Sequence, residues 1–183
     1  DGSIWVATEE AVTRYQGTKE TTYHRTELTR NWLLPIKLVE SVDSGIWLLT
    51  ARLGLFRFDG TKWESISTGE DSGEEVEPGS VFFAEDGSVW FIISDQKASL
   101  QFPVSYSSST GRMDYRDIKL PAGEAFSAVG YQFTQAHNGT ILLQQKGQQW
   151  PKFAFDPVSQ LWHPIEPIYG RRHPNYVLVT KTG

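Results

Sequence analysis

The sequence predicts an all-β protein built from about four copies of one short unit, and three observations support this. Four segments open with Asp-Gly, Asp-Ser-Gly or Asn-Gly, and in each of them an apolar run of strand length follows. A tryptophan recurs inside these runs. Apolar residues at the helical spacing of three to four are not evident in the 183 residues, so the elements between the turns are predicted to be strands.

Four segments align on the turn and on the bulky residue that follows it. Trp5, Trp47, Trp90 and Leu142 occupy the same place, at steps of 42, 43 and 52 residues. An Asp-Gly turn between apolar runs favours a hairpin, because a type I′ turn needs positive φ at both central residues. A period of about 40 to 50 residues is typical of one four-stranded propeller blade. The aligned segments are 1–8, 43–50, 86–93 and 138–145.

Each unit is predicted to hold four strands, counted from an inner to an outer strand. The run with the bulky residue is continuously apolar, as expected for a second strand buried on both faces. Alternating sequence follows in the third strand, most clearly at 54–60. The other third strands are predicted at 12–17, 99–102 and 153–156, the outer strands at 21–25, 62–66, 113–120 and 160–165, and the inner strands at 36–42, 80–84, 128–136 and 176–180.

These strands predict one β-propeller segment over 1–183, with about four four-stranded blades. The first blade lacks an inner strand, which 176–183 could supply. Such closure would remove exposed edges, which otherwise invite aggregation. A part of a larger propeller and a small closed ring, of one chain or two, both stay open. The blades are predicted at about 1–27 (with 176–183), 36–67, 80–120 and 128–165.

Tryptophan is predicted to fill the space between neighbouring blades, because its ring is large and flat. Trp5, Trp47 and Trp90 sit inside strands, so we expect them to pack in the core. Trp63 and Trp162 occupy matching places in outer strands and are expected to be structural as well.

Composition argues against several classes of function. The formal net charge of −5 disfavours general nucleic-acid binding, which needs a basic face. The absence of cysteine excludes disulfides and thiolate metal sites. No apolar run approaches the roughly 18 residues of a membrane-spanning helix. The sequence starts with Asp1 rather than Met, and we interpret it as a mature or excised piece.

The pattern Asp-x-Gly-Ile-Trp-x-x-Thr at 43–50, followed by Gly-Leu-Phe-Arg-Phe-Asp-Gly at 54–60, resembles the two-component regulator propeller repeat. Segments 1–17 and 86–102 match it less closely, and 138–156 least. In that family such blades form extracytoplasmic sensor domains of bacterial signalling proteins, often for carbohydrate-derived ligands. The resemblance therefore implies a periplasmic or extracellular sensor, with its signalling output outside this chain.

Loops at one end of the blades are predicted to share one face. At that end, the loops that lead from each outer strand to the next inner strand lie beside the loops that join second and third strands. Aromatic planes beside guanidinium groups suit sugars or anionic sugars, through stacking and bidentate bonds to carboxylate. The alternative is that these are ordinary loop residues. The candidate ligand-binding residues are Arg30, Trp32, Arg52, Lys97, Trp150, Tyr169, Arg171, Arg172 and His173.

No catalytic residue, metal site or cofactor is predicted. The four histidines show no pair with metal-ligand spacing, and no Gly-x-Ser-x-Gly elbow occurs. The acidic stretch 69–77 is predicted to be a solvated loop, since its spacing differs from that of a calcium loop. Segment 86–91 is also similar to streptogramin-lyase-like propellers, which are enzymes that use a histidine and a divalent metal.

We therefore expect a non-enzymatic ligand-binding or sensor segment of a bacterial signalling protein. Its expected partners are a small molecule or carbohydrate and further blades or a signalling domain, without nucleic-acid or membrane contact. Two alternatives stay open. One is a propeller lyase or hydrolase with His173 as general base, and the other is a protein-interaction scaffold.

Overall fold

The structure, a computed structural model, describes residues 2–24, 35–50, 54–66, 74–76, 80–95, 100–115, 130–148 and 151–165. Within these ranges the regular elements are β-strands in antiparallel sheets, and no α-helix is present. The predicted all-β class is confirmed. No helix in this part of the chain is long and apolar enough to cross a membrane.

The strands of the first half form two sheets. Sheet 1 contains β1 (Ile4–Ala7), β2 (Ala11–Gln16) and β3 (Lys19–His24), in the order β1-β2-β3. Sheet 2 contains β4 (Pro35–Glu40), β5 (Ile46–Thr50), β6 (Gly54–Phe58) and β7 (Trp63–Ser65), in the order β4-β5-β6-β7. A short strand, β8 (Glu74–Val76), follows.

The second half forms two further sheets. Sheet 3 contains β9 (Phe82–Phe83), β10 (Ser88–Asp95), β11 (Leu100–Ser107) and β12 (Arg112–Tyr115), and β10 pairs with both β9 and β11. Sheet 4 contains β13 (Tyr131–Gln135), β14 (Ile141–Gln145), β15 (Pro151–Asp156) and β16 (Leu161–Pro164), in that order. The chain divides into two compact units, and the second holds Gly79–Ser94 with Leu100–Gly183.

Short polar residues build turns at the places that the sequence predicts, but the predicted turn type is wrong. In a type I′ turn both central residues hold a positive φ, whereas here Gly87 N donates to the Ala84 carbonyl at 3.0 Å, and the positive φ falls on the glycine that follows the two central residues. The Asp86 side chain accepts hydrogen bonds from the backbone N and the Oγ of Ser88, at 2.9 and 2.6 Å. Gly87 holds a φ of 83°, a conformation that side chains with a Cβ rarely adopt. Asn138 and Gly139, with a φ of 87°, form the equivalent turn between β13 and β14. These turns fix where β10 and β14 begin.

Each unit has its own apolar core. In the first unit, sheets 1 and 2 pack around Val12, Leu48 and Phe56, all at most 2% exposed. In the second unit, sheets 3 and 4 pack around a larger set that includes Ile92 and Leu143, both 0% exposed. Burial of this apolar area is the main force that holds consecutive sheets together.

Aromatic rings join sheet 1 to sheet 2. Trp5 of β1 meets Phe58 of β6 edge-on, with ring centroids 4.9 Å apart and planes at 65°. Trp5 also meets Trp63 of β7, at 5.7 Å and 86°. Phe58 and Trp63 lie 5.4 Å apart, at 50°. Edge-to-face pairs of this kind contribute about 0.5–1.5 kcal/mol each beyond their burial.

The second unit contains the same triangle of rings. Trp90 of β10 meets Phe155 of β15 at 4.8 Å and 64°, and Trp162 of β16 at 5.7 Å and 84°. Phe155 and Trp162 lie 5.4 Å apart, at 54°. Sheets 3 and 4 therefore join through the same contact as sheets 1 and 2. Trp47, Trp90 and Trp162 are buried and Trp5 and Trp63 half-buried, so the prediction that these tryptophans pack structurally is confirmed.

Apart from shifts of one or two residues at strand ends, the structure differs from the predicted strands most clearly in two places. The acidic stretch predicted as a solvated loop contains β8, and its Val76 is only 4% exposed. One apolar side chain among the carboxylates is thus buried, which requires an ordered backbone there. The third strand predicted at 99–102 runs instead from Leu100 to Ser107, where Val104 and Tyr106 are buried.

Candidate functional site

The nine residues predicted to bind a ligand all lie outside the described residues. The face that they were expected to form therefore stays a prediction. Within the described part of the chain, a different place has the shape of a binding site.

The first unit contains a cleft of about 250 Å³. It lies at the end of sheet 2 where β4 turns into β5 and β6 turns towards β7. This is the opposite end of the sheet from the Thr50–Gly54 pair, and hence from the end at which the ligand was predicted. Charged and aromatic side chains dominate its wall: Trp5, Arg14, Glu40, Asp43, Arg57 and Phe58.

Arg14 covers the aromatic part of this wall. It lies opposite Trp5 in the pairing of β1 with β2. Its guanidinium carbon is 5.3 Å from the centre of the Trp5 ring and 5.9 Å from that of Phe58. Its Nε donates to the Oγ of Ser3 at 3.0 Å. A guanidinium over a ring face is attracted by about 0.5–1 kcal/mol at exposed sites, so Arg14 is held in place from two sides.

Arg57 occupies the corresponding place in sheet 2, opposite Trp47 and 5.9 Å from its ring centre. Its Nη2 donates to Asp43 Oδ2 at 3.3 Å. This is longer than the roughly 2.7–2.9 Å of a strong charge-assisted bond. The Nε of Arg57 is buried without a hydrogen-bond partner. A buried donor left unsatisfied costs about 1–3 kcal/mol, so Arg57 is incompletely bonded.

The turn beside Arg57 is a compact polar network. The backbone N of Ser41 donates to the carbonyl of Gly45, and that of Ser44 to the carbonyl of Ser41, both at 2.9 Å. Ser41 Oγ donates to Asp43 Oδ1 and accepts the indole N–H of Trp47 at 3.0 Å. Gly45 N also donates to Asp43 Oδ1, at 3.2 Å. Asp43 is thereby fixed at the mouth of the cleft.

This turn has serine and then glycine at 44–45, whereas the other three aligned turns have glycine and then a hydroxyl residue. Ser44 holds a φ of 60°, and Gly45 has no hydroxyl. A Cβ on Gly45 would lie 3.4 Å from Arg57 Nε. In sheet 1 the Oγ of Ser3 fills that place and accepts from Arg14. The missing hydroxyl therefore explains why Arg57 Nε has no partner. The other turns carry glycine and then a hydroxyl residue, at Gly2-Ser3, Gly87-Ser88 and Gly139-Thr140.

Asp59, at the rim of the cleft, is committed to its own turn. Its Oδ1 accepts from the backbone N and hydroxyl of Thr61, at 2.8 and 2.7 Å, and from the backbone N of Lys62 at 2.8 Å. The bond from the Lys62 backbone, followed by those from Thr61, lowers the pKa of Asp59 to about 2. Asp59 therefore contributes a fixed negative charge at neutral pH.

An exposed group in sheet 4 combines the residue types of a catalytic triad. Ser159 Oγ and Asp156 Oδ2 lie 3.3 and 3.8 Å from the same atom, His163 Nε2. In a triad the hydroxyl and the carboxylate contact opposite nitrogens of the imidazole. Here Ser159 also donates to Asp156 at 2.6 Å, and this bond is the main cause that lowers the pKa of Asp156. The group therefore lacks the arrangement of a triad and stabilises a turn.

Among the described residues, no group of three or more histidine, cysteine, aspartate or glutamate side chains is placed to hold a metal ion. A comparison with protein-family models found no match, and neither did a comparison with curated proteins.

Sequence reasoning missed the cleft, although two signals for it exist. Arg14 and Arg57 occupy the same place in the two best-aligned third strands, within Val12–Tyr15 and Leu55–Phe58. The order Asp-Ser-Gly at 43–45 departs from Asp-Gly-Ser in two of the other segments. Both signals were visible, but the distance from Gly45 to Arg57 that links them exists only in the folded chain.

Proposed function

We propose that this chain is a non-enzymatic, ligand-binding segment of a β-propeller, the sensor part of a bacterial signalling protein. The observation that carries the proposal is the tryptophan contact that joins sheet 1 to sheet 2 and sheet 3 to sheet 4 with nearly equal distances and angles. Equal contacts between consecutive antiparallel sheets are expected when each sheet is one blade.

A blade arrangement leaves the loops at the sheet ends available for recognition, while the strands form a rigid support. The proposed binding face comprises the loop residues that the sequence singles out, above all Arg171, Arg172 and His173. The resemblance to sensor propellers supports a carbohydrate-derived or other small-molecule ligand and a periplasmic or extracellular location. The triad-like group at Ser159 and His163 has the wrong geometry for a nucleophile, which favours binding over hydrolysis.

Further blades are proposed as partners on the basis of sheet 1. Ile4, Val6 and Tyr15 are 66%, 43% and 37% exposed. Ile4 pairs with Tyr15 in sheet 1 in the same way as Ile46 pairs with Phe58 in sheet 2. In sheet 2, the ring of Trp5 packs against Phe58 on this face. The corresponding face of sheet 1 would receive a ring from a preceding blade.

A ligand screen by thermal shift tests the proposal, because a ligand of the native state raises the melting temperature in proportion to RT ln(1 + [L]/Kd). The library contains glycans and small metabolites. We expect at least one class to stabilise the chain, and the double variant Arg171→Ala, Arg172→Ala to lose that shift at an unchanged melting temperature without ligand. Arg112→Gln, at an exposed ion pair with Asp114, is the matched control. A screen without any hit would contradict the proposal.

A further inference from the structure

Three local departures meet at the cleft of the first unit. Ser44 adopts the backbone conformation that glycine holds in the other turns, Gly45 lacks their hydroxyl, and Arg57 Nε is left without a partner. The first and the third are each destabilising. Violations of local rules that converge on one concave site are expected at functional sites.

We propose that this cleft binds a small zwitterion, an α-amino acid, with its carboxylate on Arg57 and its ammonium group on Glu40 and Asp43. The inference goes beyond the proposed function, since it assigns a second site at the opposite end of sheet 2. It does not depend on the loop residues proposed above.

The charges of the cleft favour a ligand that carries both signs. Two guanidinium groups, Arg14 and Arg57, face three carboxylates: Glu40, Asp43 and Asp59. Arg57 is incompletely bonded, and the carboxylate of Glu40 forms no hydrogen bond or ion pair with any described residue. A purely anionic ligand would be repelled by the carboxylates, and a purely cationic one by the guanidinium groups. A zwitterion offers an acceptor to Arg57 and a donor to Glu40.

Size and ring access point to the same class. The volume of about 250 Å³ lies below the roughly 300–1,000 Å³ of pockets for drug-sized ligands, which favours a small ligand. A sugar would stack on an aromatic face, but Arg14 already lies over both Trp5 and Phe58. Ile46 adds an apolar group beside the charges, suited to the side chain of the ligand.

Titration calorimetry of the full chain with each of the twenty common amino acids is the test. The best binder is then compared with two matched analogues, one without the amino group and one without the carboxyl group. Each analogue should bind about tenfold more weakly or worse, because each loses one charge-assisted bond. If no amino acid binds, or if an analogue binds as well as its parent, the inference is wrong, whereas the ligand screen of the proposed function is unaffected.

Two variants locate the site. Arg57→Gln should weaken binding about tenfold or more. Gly45→Ser should also weaken binding, because its Cβ would lie only 3.1 Å from Asp43 Oδ1 and from Ser41 Oγ and would therefore displace Asp43 at the mouth of the cleft. Circular dichroism checks that Gly45→Ser folds. Arg112→Gln should bind normally. Unchanged affinity in folded Gly45→Ser and Arg57→Gln would place any binding elsewhere and overturn the inference.

Discussion

Replacing Trp90 with alanine removes the centre of the second unit's ring triangle. Trp90 is 4% exposed, and its ring lies 4.8 Å from Phe155, 5.7 Å from Trp162 and 6.0 Å from Phe133. Truncating a buried tryptophan costs about 3–5 kcal/mol. Its indole N–H donates to Ser88, but that hydroxyl keeps its bond to Asp86, so no new unsatisfied group adds to the cost. We expect a loss of about 4 kcal/mol, against a total stability of about 5–15 kcal/mol for a typical domain.

Urea unfolding followed by far-ultraviolet circular dichroism measures this loss. With a slope of about 2 kcal/mol per molar urea, the midpoint should fall by about 2 M. Val158→Ala is the control, because Val158 is 91% exposed and its truncation should change stability by less than about 0.5 kcal/mol. A loss below about 1 kcal/mol for Trp90→Ala would refute the idea that this ring holds sheets 3 and 4 together.

Three further outcomes follow from local geometry. Ser44→Gly should stabilise the chain by about 0.5 kcal/mol, because a left-handed conformation costs serine about 1–2 kcal/mol and glycine loses about 0.5–1 kcal/mol of entropy; a lower urea midpoint would contradict this. The pKa of Asp59 is lowered to about 2, and the largest cause is the hydrogen bond from the Lys62 backbone N–H. The stabilisation that this carboxylate gives the fold is therefore complete above its ordinary pKa of 3.8, and it is lost as the pH falls through about 2. A carboxyl NMR titration with its midpoint near 3.8 would disprove that bonding. Gln135→Ala should cost about 1 kcal/mol, since the side-chain oxygen of Gln135 accepts from the backbone N of Glu85 at 3.1 Å and so ties sheet 4 to sheet 3. No measurable loss would mean that this bond is replaced by water.

The strands and their turns could be predicted because their causes are local. An aspartate whose carboxylate bonds two residues ahead, followed by glycine at positive φ, produces a turn at 86–88, at the predicted place although not of the predicted type. The burial of Trp90 follows from the apolar run around it. The length of β11 did not follow, because Pro103 lies inside it and proline supplies no N–H to a sheet. Burial of Val104 and Tyr106 prevails over that local signal.

The cleft could not be predicted because its cause is not local. The order of Ser44 and Gly45 reads as a harmless variation of a turn until Arg57, from another strand, is placed beside it. The ring triangle of Trp5, Phe58 and Trp63 likewise joins residues far apart in the chain. Val76 shows the reverse case. Five acidic residues around it in the sequence suggested a segment exposed to solvent, but the apolar side chain of Val76 is buried.

A double-mutant cycle run in both units tests most directly whether consecutive sheets stack through one shared contact. Leucine is the substitute, because Leu142 stands in sheet 4 at the position that aligns with Trp5 and Trp90. The replaced pairs are Trp5 with Trp63 in one unit and Trp90 with Trp162 in the other. Because the two ring pairs have equal centroid distances of 5.7 Å, their coupling energies should each be about 0.5–1.5 kcal/mol and should agree within about 0.5 kcal/mol. Coupling near zero in either pair, or clearly unequal values, would contradict the account.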